Sequence, residues 1–285
     1  MAILSIQSHV SAGHVGNAAA APALRALGRA VWPVHTVLFS NHPGHGRFRG
    51  RALEPDLVGD ILTGLAEHGA WPERAGVLSG YLGRAGTAEV VAAAVDRARQ
   101  GRPDLPYLCD PVMGDAGPGL YVAADIPQAI RTHLIPRATL VTPNRFELEV
   151  LTDRACPDLA ATLEAARALR AEGPAVVVVT SLDVPDGPEP GAARCLVTDG
   201  SGAWIVASAR LPFVRPPNGA GDLLSALVLH HWLEDPRAPV ALSTSVSTLH
   251  AVLEETLRRG GTELALIEAR DRLAAPGRIW APIRL

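Results

Sequence analysis

The sequence predicts a three-layer α/β/α sandwich built on a mainly parallel sheet. Short runs of β-branched and aliphatic residues alternate with longer Ala/Leu/Arg stretches. One run, Val176 to Val179, is a continuous VVVV, the pattern of a strand covered by helices on both faces. Several runs end in polar, Gly-rich turns, and beyond the carboxyl ends of parallel strands is where such sheets collect ligands.

Taken in order, Ala2–Gln7 is a compact strand and Asn17–Leu27 a helix stopped by Gly28. Val31–Phe39 is a second strand, in which Pro33 lacks an N–H and belongs at an edge or a bend. Helices at Pro55–Glu67 and Thr87–Gln100 flank a strand at Ala75–Ser79. Tyr107–Cys109, Thr139–Val141 and Ala175–Thr180 continue the sheet. Asp158 caps a helix that runs to Ala171 and ends at Gly173; its expected buried stripe is Leu159, Leu163, Ala166 and Leu169–Arg170. After the Pro/Asp/Gly-rich excursion Leu182–Gly191, Arg194–Ala207 is a hairpin, and Leu223–Trp232 is an apolar helix. No linker of different composition and no internal repeat divides the chain, so one domain over 1–285 is expected.

Composition narrows the function. With 285 residues, 48% of them hydrophobic, the chain can bury a core without a disulfide or metal staple. A net charge of −3 and the lack of a basic stripe argue against nucleic acid as a partner. All 26 basic residues are Arg. The absence of Lys excludes Schiff-base catalysis, a lysine general base and a phosphate-loop lysine. Cys109, Cys156 and Cys195 are odd in number and scattered, suggesting neither a disulfide framework nor a zinc site. There is no signal-peptide pattern and no 18-residue apolar run, so a soluble, cytoplasmic protein with no membrane partner is expected. Ser8–Asn17 follows the first strand without the G-x-G-x-x-G spacing or the distal acid of a dinucleotide site. Five of the ten histidines (His9, His14, His35, His42 and His45) lie in the first 45 residues; no Cys or carboxylate accompanies them at ligand spacing, which favours a solvated or substrate-facing role over metal ligation.

Three segments carry chemistry. In Pro217-Asn218-Gly219-Ala220-Gly221-Asp222, small residues before a helix leave consecutive N–H groups bare, and the helix dipole completes an anion hole. Asp222 beside it can take a proton from an alcohol during phosphoryl transfer, or can simply cap its own helix. Cys109-Asp110-Pro111-Val112-Met113-Gly114-Asp115 places two carboxylates on one turn. They suit Mg²⁺ and its waters, although taken alone ordinary turn chemistry explains them better. In Thr142-Pro143-Asn144-Arg145-Phe146-Glu147, Asn144 and Glu147 have the form of a capping box.

Together these segments resemble the pyridoxal kinases of the ribokinase-like superfamily. Ile6-Gln7-Ser8-His9-Val10, Gly13-His14-Val15-Gly16-Asn17, Phe39-Ser40-Asn41-His42, Ser79-Gly80-Tyr81-Leu82-Gly83, Cys109–Asp115, Thr142–Glu147 and Gly219–Asp222 occur in that family's order. The final fifty residues add helical pattern but no signature. The resemblance implies ATP-dependent phosphorylation of the 5′-hydroxyl of pyridoxal, pyridoxine or pyridoxamine. In it, Asp222 would be the general base, with the amides of Gly219, Ala220 and Gly221 as anion hole. Asp110, Asp115 and Glu147 would organise Mg²⁺ and phosphate, with Asp110 and Glu147 nearest the metal. Thr142, Thr180 and Ser181 would meet the ATP phosphates, and Leu211, Phe213 and Val214 the adenine. Ser8 would bond the pyridine ring, and Val37, Phe39, His42, Pro43, Gly44 and Tyr81 would wall it, beneath a flap at about 31–50. Pro43 stands where many relatives carry a hydroxyl residue, and no Lys stands near Thr180, where some relatives have one. A homodimer and a monovalent cation, K⁺, are further expectations from the resemblance. Rival readings are a hydroxymethylpyrimidine kinase on the same fold and a non-catalytic vitamer-binding protein.

Overall fold

The computed structural model describes residues 1–69 and 71–285. Along the chain run β1 (Ala2–Val10), α1 (Asn17–Ala26), β2 (Ala30–Phe39), β3 (Gly50–Ala52), α2 (Pro55–Glu67), β4 (Arg74–Ser79) and α3 (Thr87–Ala98). There follow β5 (Tyr107–Cys109), β6 (Gly114–Asp115), β7 (Gly119–Leu120), α4 (Ile126–Ala129), β8 (Leu140–Val141), α5 (Arg145–Thr152), α6 (Leu159–Ala171) and β9 (Val176–Val179). The chain ends with β10 (Ala193–Thr198), β11 (Ala203–Ser208), α7 (Ala220–Glu234), α8 (Ala238–Arg258), α9 (Arg270–Ala274) and β12 (Pro282–Arg284).

Ten strands form one sheet in the order β12-β11-β10-β9-β8-β5-β4-β1-β2-β3, and β6 and β7 make a separate small ladder. The six strands from β9 to β2 are mutually parallel, so their carboxyl ends share one edge. β10, β11 and β12 extend the sheet antiparallel, and β3 closes the other side antiparallel to β2. The VVVV run splits by parity as a doubly covered strand must. Val177 and Val179 enter the core beneath α2, α3, α5 and α6, while Val176 and Val178 enter the core beneath α1, α7 and α8. All four are at most 2% exposed, and burying each contributes about 1.5–3 kcal/mol before entropy is counted.

Local chemistry explains the remaining elements. β3 pairs only with Val37–Phe39, so Pro33 faces an open side of β2 where no ladder bond is missed. Asn17 opens α1 and lies within hydrogen-bond reach of the carbonyls of Ser5, Gln7 and Val34, tying that helix to β1 and β2. In α7 every residue from Leu223 to His230 is buried, because the helix is enclosed by α1, α8 and the sheet rather than lying on a surface.

Two sequence expectations are corrected. The buried stripe of α6 is Thr162, Ala165, Ala166 and Leu169, with Leu159 and Leu163 only partly covered and Arg170 outside it. Thr162, Ala165, Ala166 and Leu169 recur at i, i+3, i+4 and i+7, so a stripe of mostly small residues packs inward and lets the helix approach closely. The stretch 31–50 also divides: 31–39 belongs to β2, and only the segment from Ser40 to Arg49, with one 3₁₀ turn at Pro43–His45, stands outside the sheet as a flap. Among the described residues no helix is long and apolar enough to cross a membrane.

Candidate active site

α7 begins at Gly219, whose φ of 87° is left-handed and whose position no side chain caps. The first-turn amides therefore stay open, and the helix dipole points at them. A Cβ at Gly219 would overlap the carbonyl oxygen of His14 and press on Val15, so only glycine allows this approach. Asp222 does not cap its own helix. Burial lifts its pKa to about 6, and the nearby Gly16 N–H partly offsets that rise. Gly16 in turn packs on Ser8 so closely that a Cβ would overlap the Ser8 backbone oxygen and Oγ. Ser8 and Asp222, more than two hundred residues apart in sequence, thus meet across one glycine.

Next to the nest, buried Asp110 accepts the Ser225 hydroxyl at 2.7 Å, and Ser225 lies 3.0 Å from Thr142 Oγ1. Burial first, then the charges of Glu147 and Asp222, push Asp110 well above the usual carboxylate range. Glu147 is also buried and its pKa rises to about 7, chiefly by desolvation. Its two oxygens accept backbone N–H groups of Met113 at 2.9 Å, Gly114 at 3.5 Å and Asn144 at 2.9 Å. The capping box at Asn144 is present in full, and Asn144 Nδ2 also donates to the Gly114 carbonyl at 2.8 Å. Asp115 is exposed and accepts the Ala116 N–H. Tyr121 is half exposed, yet partial burial of its phenol first, then Glu147, Asp110, Asp222 and Asp115, raise its pKa.

The flap and strand ends make a second wall. Val37 is buried against Gly83, Phe39 meets Phe48 of the flap at 4.9 Å between ring centroids, and Thr36 Oγ1 donates to the Tyr81 carbonyl at 2.5 Å. His42 Nδ1 accepts the Gly44 N–H at 3.1 Å, which leaves Nε2 to carry the proton of the neutral ring. Burial first, then His45, lower the His42 pKa, against a smaller raising by Glu263, so the neutral donor form is favoured. Pro43 and Gly44 are exposed on the flap turn. His9 and His35 stack at 4.4 Å between centroids beside Asn17.

The predicted residues therefore gather unevenly. Ser8, Asp110, Thr142, Glu147 and the nest from Gly219 to Asp222 converge. Thr180 and Ser181 end β9 alongside Asn144, through the Asn144–Thr180 bridge and the Arg145 N–H to the Thr180 carbonyl at 3.1 Å. Leu211 and Phe213 are half-buried in the loop before α7, and Val214 is fully exposed there.

Similarity agrees with this geometry. A family model described as phosphomethylpyrimidine kinase matches residues 73–265. The pyridoxal kinase PdxY of Deinococcus radiodurans is 45% identical over 287 residues, covering 99% of this chain and 96% of its own. That of Leifsonia xyli subsp. xyli is 44% identical over the full length of both. Pyridoxal kinase from Leishmania donovani, solved with ADP and pyridoxamine, superposes with a TM-score of 0.90 at 31% identity over 99% of both chains.

The chain belongs to the pyridoxal kinase family. Membership accounts for the ribokinase-like layering on a mainly parallel sheet. Sequence reading missed three residues that the structure places beside the predicted ones. Ser225 had a signal, a lone hydroxyl three residues after Asp222 on an otherwise apolar helix face. Tyr121 had a weaker one, an aromatic residue in a loop of small residues. Glu263, which accepts the His14 N–H at 3.1 Å, had none.

Proposed function

We propose that this chain transfers the γ-phosphoryl group of ATP to the 5′-hydroxyl of pyridoxal, with pyridoxine and pyridoxamine as further acceptors, in vitamin B6 salvage. The observation that carries the proposal is Asp222, set beside an open amide nest and joined through Gly16 to Ser8. The names of the relatives and the Leishmania donovani complexes with ADP and pyridoxamine or pyridoxine support the same substrates.

In this reading Ser8 and the neutral His42 orient the ring, and Phe39, Val37 and Tyr81 wall it. Asp222 takes the hydroxyl proton as the oxygen attacks. The amides of Gly219, Ala220 and Gly221 hold the charge on the transferring group, a preorganised electrostatic role that requires no ammonium. Thr142, Thr180, Ser181 and Asp115 would face the ATP phosphates, and Leu211, Phe213 and Val214 the adenine.

The residues present fit Mg²⁺. Asp110 and Glu147 are carboxyls whose charge is disfavoured by burial and then by neighbouring carboxylates, a situation that a dication relieves. Glu147 already accepts three backbone N–H groups, so Asp110 is the more open ligand and Glu147 would act through water. When bound, Mg²⁺ supplies charge neutralisation on the phosphates. K⁺ dependence, a homodimer and a cytoplasmic location belong to the same proposal and rest on the family resemblance.

The match to the phosphomethylpyrimidine kinase model favours one second reading, a flat pyrimidine alcohol as acceptor. ATP consumption with a panel of pyridine and pyrimidine alcohols, with Mg²⁺ present or withheld, separates the two. Turnover of pyridoxal above the pyrimidine alcohol is expected; the reverse preference overturns the substrate, and no turnover with any alcohol overturns the kinase reading.

A further inference from the structure

The loop between α8 and α9 lies among the last fifty residues, where the sequence shows no signature, yet it reaches the mouth of the site. Glu263 on this loop touches three segments at once. Its Oε2 accepts the His14 N–H at 3.1 Å. Its Oε1 stands 3.3 Å from His45 Nε2 on the flap turn. Its backbone forms a parallel bridge with Asn218, the residue before the nest, and Asn218 Nδ2 is itself 3.3 Å from His45 Nε2. Gly13 makes room for the carboxylate, since a Cβ there would stand 2.7 Å from Oε2.

We infer that Glu263 is a positioning residue that latches the flap, through His45, onto the loop supporting the anion nest. The His45 ring lies edge-on to His42 at 6.0 Å between centroids, so holding His45 also sets His42, whose Nε2 faces the acceptor in the reading above. The groups facing His45 are His42, Glu263 and Asn218. Neither His45 nor Glu263 bonds Asp222, Asp110 or Glu147 among the described residues, so the latch acts on acceptor binding rather than on proton transfer. The carboxylate is 31% exposed, which suits a contact that must open and close with each turnover.

The inference rests on the proposed acceptor, and the test keeps the two apart. The variants His45→Ala, Glu263→Ala, Glu263→Gln and the His45→Ala/Glu263→Ala pair are compared with the unaltered chain by KM and kcat. Each alanine variant is expected to raise the KM for pyridoxal about five- to tenfold, with the KM for ATP and kcat within about twofold. The pair should do no more than Glu263→Ala alone, because both remove the same contact. Glu263→Gln keeps an acceptor for His14 and should recover part of the loss. Limited trypsin digestion gives a readout independent of turnover: cleavage at the flap arginines Arg47 and Arg49 should quicken about fivefold in both alanine variants while melting of the fold is unchanged. An unmoved acceptor KM in His45→Ala, multiplicative effects in the pair, or equal trypsin sensitivity overturns the latch. If the unaltered chain ignores pyridoxal, the substrate reading fails instead, and the same comparison is made with the alcohol that the panel identifies.

Discussion

Asp222 gives activity and stability opposite responses to pH. Its pKa of about 6 means that a base competent to take a proton accumulates as pH rises through 6, so kcat/KM should climb along a single acidic limb there. The folded-state pKa lies above that of the unfolded carboxyl, so between about 4 and 6 the native chain binds more protons than the unfolded one. Stability therefore declines as pH rises through that window. Glu147, raised to about 7, adds a contribution of the same sign. Asp222→Asn should remove nearly all turnover, leave ligand binding largely intact and flatten the stability slope. Rate profiles and chemical denaturation at several pH values check all three, and equal turnover in the variant rejects the assigned base.

At the scale of elements, two helix starts do different work. The α5 start is closed by a side-chain box, and Asn144→Ala removes both that cap and the bond to the Gly114 carbonyl. A loss of about 1–2 kcal/mol is expected, read as a lower denaturant midpoint, with weaker ADP binding because Gly114 sits in the turn below Asp110. The α7 start is left open, and Gly219→Ala puts a Cβ into the His14 carbonyl at a left-handed φ. Its kcat should fall about a hundredfold, with a smaller loss of melting temperature; near-normal kcat would show that the nest is not used. Both starts were legible in sequence because each is written in consecutive residues, as were the VVVV strand and the β-α alternation. What stayed hidden is non-local. Ser225 meets Asp110 across 115 positions and Glu263 meets His14 across 249, and local spacing carries no record of such contacts. The flap was drawn too wide because its range of 31–50, taken from the family resemblance, overlapped Val31–Phe39, which the residue pattern already marked as a strand.

For the molecule as a whole, the absence of Lys among 26 basic residues reaches beyond catalysis. The flap, which under the proposed function covers the acceptor, presents the exposed Arg47 and Arg49 at its rim, and the exposed Arg51 follows on β3. Pyridoxal and its phosphate are aldehydes, and a primary ε-amine at that rim would condense with them to an imine. A guanidinium keeps the positive charge without that chemistry. Incubation with pyridoxal phosphate followed by borohydride should leave no side-chain adduct by mass spectrometry, whereas Arg49→Lys should gain one. Under the proposed function, the flap thus carries cations that attract a phosphorylated product yet cannot capture its carbonyl, so self-inactivation by that product is designed out of the rim.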